Sequence, residues 1–456
     1  MSSLDAVRAR FAHNQGLPFA GILTEARILE VLNDHGVTFR DRVFSPVTTI
    51  WGFLGQVLHD DHSCRDAVSR IIAHRAASGK LVCSPNTASY CNARSRIPTD
   101  VLSTLATRTA EELQSSVPDR WKWNGRSAYI VDGSSVSMPD TPENQALYPQ
   151  PSTQAPGLGF PLARITVLLS LATGACRDLQ IAPYQGKGTG EKSLLRRMYD
   201  SLKPGDVVLS DALFDDYFIT WELCNRGVDI VARAQYERVG TRIAQSSPDG
   251  DIIVWQRPNK PRRMTGEQYR RYPKSLVMRQ VAVDARDKNN RVKQFKVVTT
   301  ILDRSVDGKQ IGSLYERRWS GEVNIRSIKC VMQMDILRCK TPEMVHKEIW
   351  THLLAYNLLR TAMAVAADEA DVEPRKISFK GAKQTLTAFA PKIEAAQPEG
   401  RKPLVDAMIT AIAYHRVGNR PGRWEPRARK RWPKRAAKLM QPRHIAKLPN
   451  NRSRWF

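Results

Sequence analysis

Four residues in the stretch YERRWSGEVNIRSIK have types and spacing suited to phosphate chemistry: Tyr315, Arg318, Glu322 and Lys329. They follow Y-x2-R-x3-E-x6-K, and at about 100° per residue they fall within an arc of roughly 60° on one helix. One face would then carry an aromatic ring, two cations and a carboxylate. A carboxylate flanked by phosphate-binding cations is what metal-assisted phosphodiester chemistry needs. The same spacing also fits a solvated charged stripe.

Two aspartates strengthen the chemical reading. SAYIVD reads as a short apolar strand ending in Asp132, and DVVLSD as another ending in Asp211. Between them RITVLLSL and CRDLQIA read as two strands joined at Gly174, and a helix is expected over 190–202. DDYFITWELCNRG reads as a helix closed by Gly227, and DIVARA as a fifth strand. Three strands, helix, strand, helix, strand is an α/β layer. Such sheets hold ligands at the carboxyl ends of their strands. Adjacent first and fourth strands would bring Asp132 and Asp211 together, with Glu322 on a helix that follows the sheet. Three carboxylates suit one or two hard divalent ions such as Mg²⁺. A pair of such ions can activate the attacking oxygen and stabilise the leaving one. Each aspartate alone has a structural alternative: a turn before GSS for Asp132, a helix start for Asp211.

Residues 1–120 read as helical, with apolar periodicity through ILTEARILEVLNDHG, VTTIWGFLGQVLHDD and CRDAVSRIIAHRAA. SPNTASYCNARSRIP reads as a loop before a further helix, TDVLSTLATRTAEELQSSV. Residues 236–303 are basic and rich in Pro and Gly, with strand-like DIIVW, SLVMRQVAVDA and QFKVVTTIL, a mostly β insertion. The helix with Glu322 begins near Asp307, and PEMVHKEIWTHLLAYNLLRTAMAVAA packs behind it.

The chain has 456 residues and a formal net charge of +25. From Arg416 to Phe456 there are 14 Lys and Arg against one acid, Glu425; from Glu237 to Asp303 there are 15 against 7. Two such patches point to a polyanion, nucleic acid before an anionic membrane, since the tail lacks an amphipathic stripe. The 7 cysteines include no C-x2-C pair, which disfavours a zinc site or a disulfide framework and fits a reducing cytoplasm. MSSLDAVRARF has no apolar signal core, and no run of about 18 apolar residues exists to cross a membrane.

With these residues in place the chain resembles the DDE transposases of bacterial insertion sequences, of the insertion-sequence-four type. Tyr315, Arg318, Glu322 and Lys329 match the family's Y-R-E-K helix; Asp132-Gly133-Ser134 matches its D-G-[ST] stretch; Asp211 precedes an aromatic, Phe214. GLGFPLARITVLLSLATG and LLAYNLLR are also similar, and the likeness spans about 20–415. It implies an α/β fold: a ribonuclease H-like catalytic core (121–235 and 304–370) interrupted by the β-rich insertion (236–303). A helical DNA-binding domain (1–120) would precede it, and a helical region with a basic tail (371–456) would follow. Asp132, Asp211 and Glu322 would be catalytic and hold Mg²⁺, two ions, with Mn²⁺ as a substitute. Tyr315, Arg318 and Lys329 would hold DNA, with Arg233 a further contact. Trp255 would stack on a flipped base during hairpin formation, or else fill the sheet core. The implied reaction is cut-and-paste transposition: end cleavage through a hairpin, then strand transfer into target DNA. The implied partners are double-stranded DNA, as terminal inverted repeats and target, and a second copy in a homodimer that pairs two ends. The implied place is the bacterial nucleoid in the cytoplasm. An inactive DNA-binding relative and a structure-specific endonuclease are the alternatives.

GKGTGEKS (186–193) looks like a phosphate-binding loop, but Glu191 interrupts the required G-K-[ST]. It reads instead as a loop entering a helix, with Glu191 favourable in the first turn.

Overall fold

The computed structural model describes residues 19–418 apart from 41, 236–239, 244–248, 263 and 287–291, together with Leu4, Ala6, Pro442 and Ile445. Almost all of the basic tail lies outside the described residues.

Five helices come first: α1 Glu25–Asp34, α2 Pro46–Leu58, α3 Cys64–Ala77, α4 Ala88–Arg96 and α5 Thr99–Ser115. Thr24, Ser45 and Ser63 start the first three by accepting an N–H of the opening turn. α4 corrects the expectation of a loop there. Asn86 takes the N–H of Ala88 at 2.9 Å, and Tyr90, Ala93 and Arg94 are buried. So short a helix gives little periodic signal.

The five expected strands then appear in order, with one helix that was not expected, α6, between the first two: β1 Ala128–Ser137, α6 Pro142–Leu147, β2 Leu162–Ser170, β3 Cys176–Pro183, α7 Glu191–Arg197, β4 Val207–Ser210, α8 Tyr217–Cys224 and β5 Asp229–Arg233. α7 is shorter than expected, ending in a 3-10 turn at Tyr199–Ser201. The insertion adds β6 Thr241–Arg242, β7 Asp251–Gln256, α9 Gly266–Arg270, β8 Ser275–Arg286 and β9 Val292–Thr299. All nine strands form one sheet in the order β3-β2-β1-β4-β5-β9-β8-β7-β6. The insertion therefore extends the catalytic sheet: β9 pairs antiparallel with β5, Val231 opposite Thr299.

β1 also differs from expectation. It does not end at Asp132 but continues to Ser137 beside β2. Its parallel pairing with β4 stops at Ile130↔Leu209. Asp132 thus sits where β4 has just left the strand, which exposes one side of β1 there.

After the sheet come α10 Gly308–Glu316, α11 Trp319–Arg326, α12 Pro342–Glu369, α13 Phe379–Ala395 and α14 Pro398–Tyr414. α12 is buried along nearly its whole length from Val345 to Ala367, the pattern of an interior helix. One core joins its Leu354 and Leu358 to Leu105 of α5, Ile130 and Ile165 of the sheet, and Ile412 of α14. The other sheet face, with Tyr129, Val131, Val208 and Ile230, packs on Leu195 of α7 and Phe218 and Leu223 of α8.

α11 crosses β1 at Gly321, where an added Cβ would lie 2.7 Å from Ile130 Cγ2. A freely exposed helical Gly would gain about 1 kcal/mol on becoming Ala. Here the stiff β-branched Ile130 cannot yield, so Gly321→Ala should instead cost roughly 1–3 kcal/mol by overpacking. Denaturant unfolding reads the sign; an unchanged or raised midpoint would refute the close contact.

Candidate active site

Asp132 and Asp211 each stand two residues beyond the paired Ile130 and Leu209, so parallel strands set them side by side. Local backbone bonds aim both carboxyls. Asp132 Oδ1 accepts the N–H of Gly133 at 2.8 Å, and Asp211 Oδ1 accepts that of Leu213 at 2.8 Å. The latter bond caps a 3-10 turn, Ala212–Phe214, which anchors Phe214 in the core. In each aspartate the second oxygen has no hydrogen-bond partner among the described residues.

The Y-R-E-K residues do not share one straight helix face. α10 ends at Glu316, and tighter bonds take over: Arg318 N–H to Tyr315 O at 2.9 Å and Gly321 N–H to Arg318 O at 2.8 Å. α11 then passes into a π-helical turn, Ser327–Val331, with Met332 N–H bonded to Ser327 O at 3.0 Å. A π turn adds a residue and re-aims the side chains beyond it. As a result Lys329 turns toward β1 and its Nζ donates to Ser134 Oγ at 3.0 Å.

Glu322 is exposed and paired with Arg318, Nη2 to Oε1 at 3.4 Å. Arg318 lies between it and the sheet: its charge also favours the ionised form of Asp132. Its Nε is buried without a hydrogen-bond partner among the described residues. Tyr315 is buried rather than facing outward, packed on Phe295 at 5.6 Å and beneath the Arg318 guanidinium at 5.9 Å. Arg233 is exposed, lies over Phe295 at 5.2 Å, and is close enough for its charge to act on Tyr315. Trp255 is not at hand for a base: it is 3% exposed in the core under β7, the alternative its sequence allowed. β7 buries Ile253 and Trp255 on the same face, two residues apart, as a pleated strand requires.

Sequence reasoning misses one acid of this group. Glu191, at the start of α7, lies against Gly133 and is bound by Arg164 of β2, Nη1 to Oε1 at 3.0 Å. The helix dipole alone is enough to account for an acid in that first turn. The signal that could have found it is an acid on the connection between the third and fourth strands.

Burial pushes Asp132 up to about 6; the Gly133 N–H and Arg318 oppose this, while the Asp211 and Glu191 carboxylates add to it. Glu191 is raised as well, first by burial and then by Asp211, against Arg164. The acids are thus under-compensated, and their all-oxygen donor set fits a hard cation. Among the described residues no three acidic, Cys or His side chains yet stand close enough to hold a metal ion. A cavity of about 640 Å³ between α8 and α9, lined by Phe218, Trp221, Met264 and Tyr272, includes none of these acids. No helix among the described residues is long and apolar enough to cross a membrane.

The profile of the transposase DDE domain matches residues 123–358, just over half of the chain. The transposase InsG for insertion sequence element IS4 of Escherichia coli (strain K12) is 24% identical over 380 residues, covering 80% of each chain. The cryo-EM structure of the piggyBac transposase synaptic complex with hairpin DNA aligns over 91% of this chain and 88% of that one. Its TM-score of 0.43 at 12% identity is too low to bear on the fold.

The Asp132 shift carries a sign. Its folded value, about 6, lies above its ordinary 3.8, so the folded state holds the proton longer. Stability from this group is lost as pH rises through that window, and the penalty is complete above it. Asp132→Asn should raise stability at about pH 7.5 without divalent ions by on the order of 2 kcal/mol, and by little at about pH 4. Thermal unfolding of both proteins across pH measures the gap; a gap independent of pH would contradict the burial cost.

Proposed function

The chain belongs to the DDE transposase family, of the insertion-sequence-four type, and from that premise we infer which residues carry its reaction. It is a DNA transposase, and its family uses divalent metal ions. The carrying observation is the side-by-side placement of Asp132 and Asp211 with α11 laid across β1 by Gly321.

In this reading Asp132, Asp211 and Glu322 hold Mg²⁺, with Mn²⁺ able to replace it. When bound, the ions polarise the scissile phosphate and ease deprotonation of the attacking hydroxyl or water. Glu322 joins the set by leaving Arg318, a single 3.4 Å contact between an exposed carboxylate and a largely buried guanidinium. Arg318, its Nη2 released from Glu322, then takes a DNA phosphate oxygen. Tyr315 backs Arg318 and fixes its guanidinium. Lys329, steadied at Ser134, holds a second phosphate beside Asp132, and Arg233 extends the cationic edge.

The substrate would be the ends of an insertion sequence, cut and then joined to target DNA by two cooperating copies. Each joining step exchanges one phosphodiester for another, so no nucleotide cofactor is needed. A hairpin belongs to this reading, but Trp255 can serve it only if β7 opens.

Glu322→Gln should reduce Mg²⁺-dependent nicking of DNA spanning the element's ends to background while leaving DNA binding within a few-fold of wild type. Nicking and gel-shift assays on the same fragments test this. Parallel loss of binding and cutting would refute a metal role for Glu322. Cleaved ends never joined to a plasmid would favour an endonuclease.

A further inference from the structure

We propose that Glu191 is a fourth carboxylate of the reaction, a positioning residue that orients the water shell of the ion held by Asp132 and Asp211. The inference rests on the reading of those two aspartates as metal residues.

Three contacts fix where Glu191 points. The neighbouring Lys192 is bound to Asp216 at 2.9 Å, and Asp216 caps α8, so the start of α7 is tied down. Arg164 grips one carboxylate oxygen at 3.0 Å. Arg164 is itself fixed, by the Tyr184 carbonyl at 3.2 Å and the Tyr184 ring at 5.0 Å. The carboxyl then rests on the β1 backbone directly after Asp132. A Cβ at Gly133 would come within 2.1–2.4 Å of its atoms, so only glycine leaves this room.

Arg164 compensates Glu191 here, but a purely structural ion pair has no need of this place beside two further acids. Asp132 and Asp211 both repel a further negative charge there. A carboxylate held against such repulsion, with one oxygen gripped and the other without a hydrogen-bond partner among the described residues, matches its two neighbours, whose first oxygens are gripped by main-chain N–H groups. Mg²⁺ keeps several of its waters when bound, and outer carboxylates that orient them typically matter 10–100-fold, about the scale expected here.

The test uses the full chain without DNA and Mn²⁺ alone as the probe. Free Mn²⁺ is counted by electron paramagnetic resonance, and thermal unfolding is followed with and without the metal. Glu191→Gln should weaken Mn²⁺ binding about 10-fold or more and shrink the Mn²⁺-induced rise in Tm. Gly133→Ala, which keeps both acids but pushes the Glu191 carboxyl away, should do the same, and it carries the test if Glu191→Gln folds poorly. A structural role would lower Tm equally with and without Mn²⁺ and leave the affinity unmoved, which would overturn the proposal. A wild type that takes up no Mn²⁺ would overturn the reading of Asp132 and Asp211 as well, whereas wild-type uptake matched by both variants would overturn this proposal alone.

Discussion

The site depends on how closely α11 lies against β1. Gly321 removes the side chain that would hold helix and strand apart at Ile130. From behind, the buried Arg360 of α12 binds Asn324 of α11 at 2.6 Å and the Tyr356 hydroxyl of its own helix at 2.9 Å. Beyond the π turn the chain is sewn to the end of β1, with Ser137 N–H to Asp335 O at 3.1 Å and Leu337 N–H to Ser137 O at 2.9 Å. The helix is thus held in front, behind and at its exit. Arg318 and Glu322 inherit their position from those contacts, not from each other.

That precision sits beside an unfavourable charge arrangement. Asp132 is half-buried next to two further acids, opposed by Arg318 at Asp132 and by Arg164 at Glu191. A site built this way lowers stability so that it can receive a cation and a polyanion. The stability comes from elsewhere, chiefly from α12. Its Asn357 donates to Ala106 O of α5 at 2.9 Å and to Cys176 O of β3 at 3.0 Å, and accepts the Cys176 N–H at 2.8 Å. The helical ends and the sheet therefore share one core, and the strain at the acids is borne by the whole fold.

The order of the strands, the acids on β1 and after β4, and the β character of the insertion were legible in the sequence because each is a local pattern of apolar runs with turn residues between; the end of β1 was not, because its pairing with β2 carries it past Asp132 to Ser137. The bend between α10 and α11 was not, because tight bonds at Arg318 and Gly321 answer to packing on β1. A motif spacing of fixed length hides both that bend and the π turn after Arg326. Tyr315 shows the consequence: read as part of an outward face, it is in fact the floor under Arg318. Glu191 was hidden for the opposite reason. A sufficient local account, an acid in a first helical turn, concealed a long-range one.

The insertion shows why its length matters less than its last strand. β9 runs antiparallel to β5, so the chain passes Phe295 near the catalytic edge and leaves the sheet at Thr299, away from it. α10 must bring it back. Its nine residues from Gly308 to Glu316 span about 13.5 Å, while the four steps from Phe295 to Thr299 span roughly 13 Å. Helix and strand cancel, and Tyr315 arrives against Phe295 at 5.6 Å. Arg318 and Glu322 then begin at the edge where Asp132 and Asp211 wait. An insertion ending in a strand parallel to β5 would deliver α10 to that edge directly and carry Glu322 past it. β8 shares the duty of placing α10: its buried Arg279 binds the Asp303 and Val306 carbonyls that lead into α10, at 3.2 and 2.6 Å, and its Val283 packs beside Gly312 of that helix.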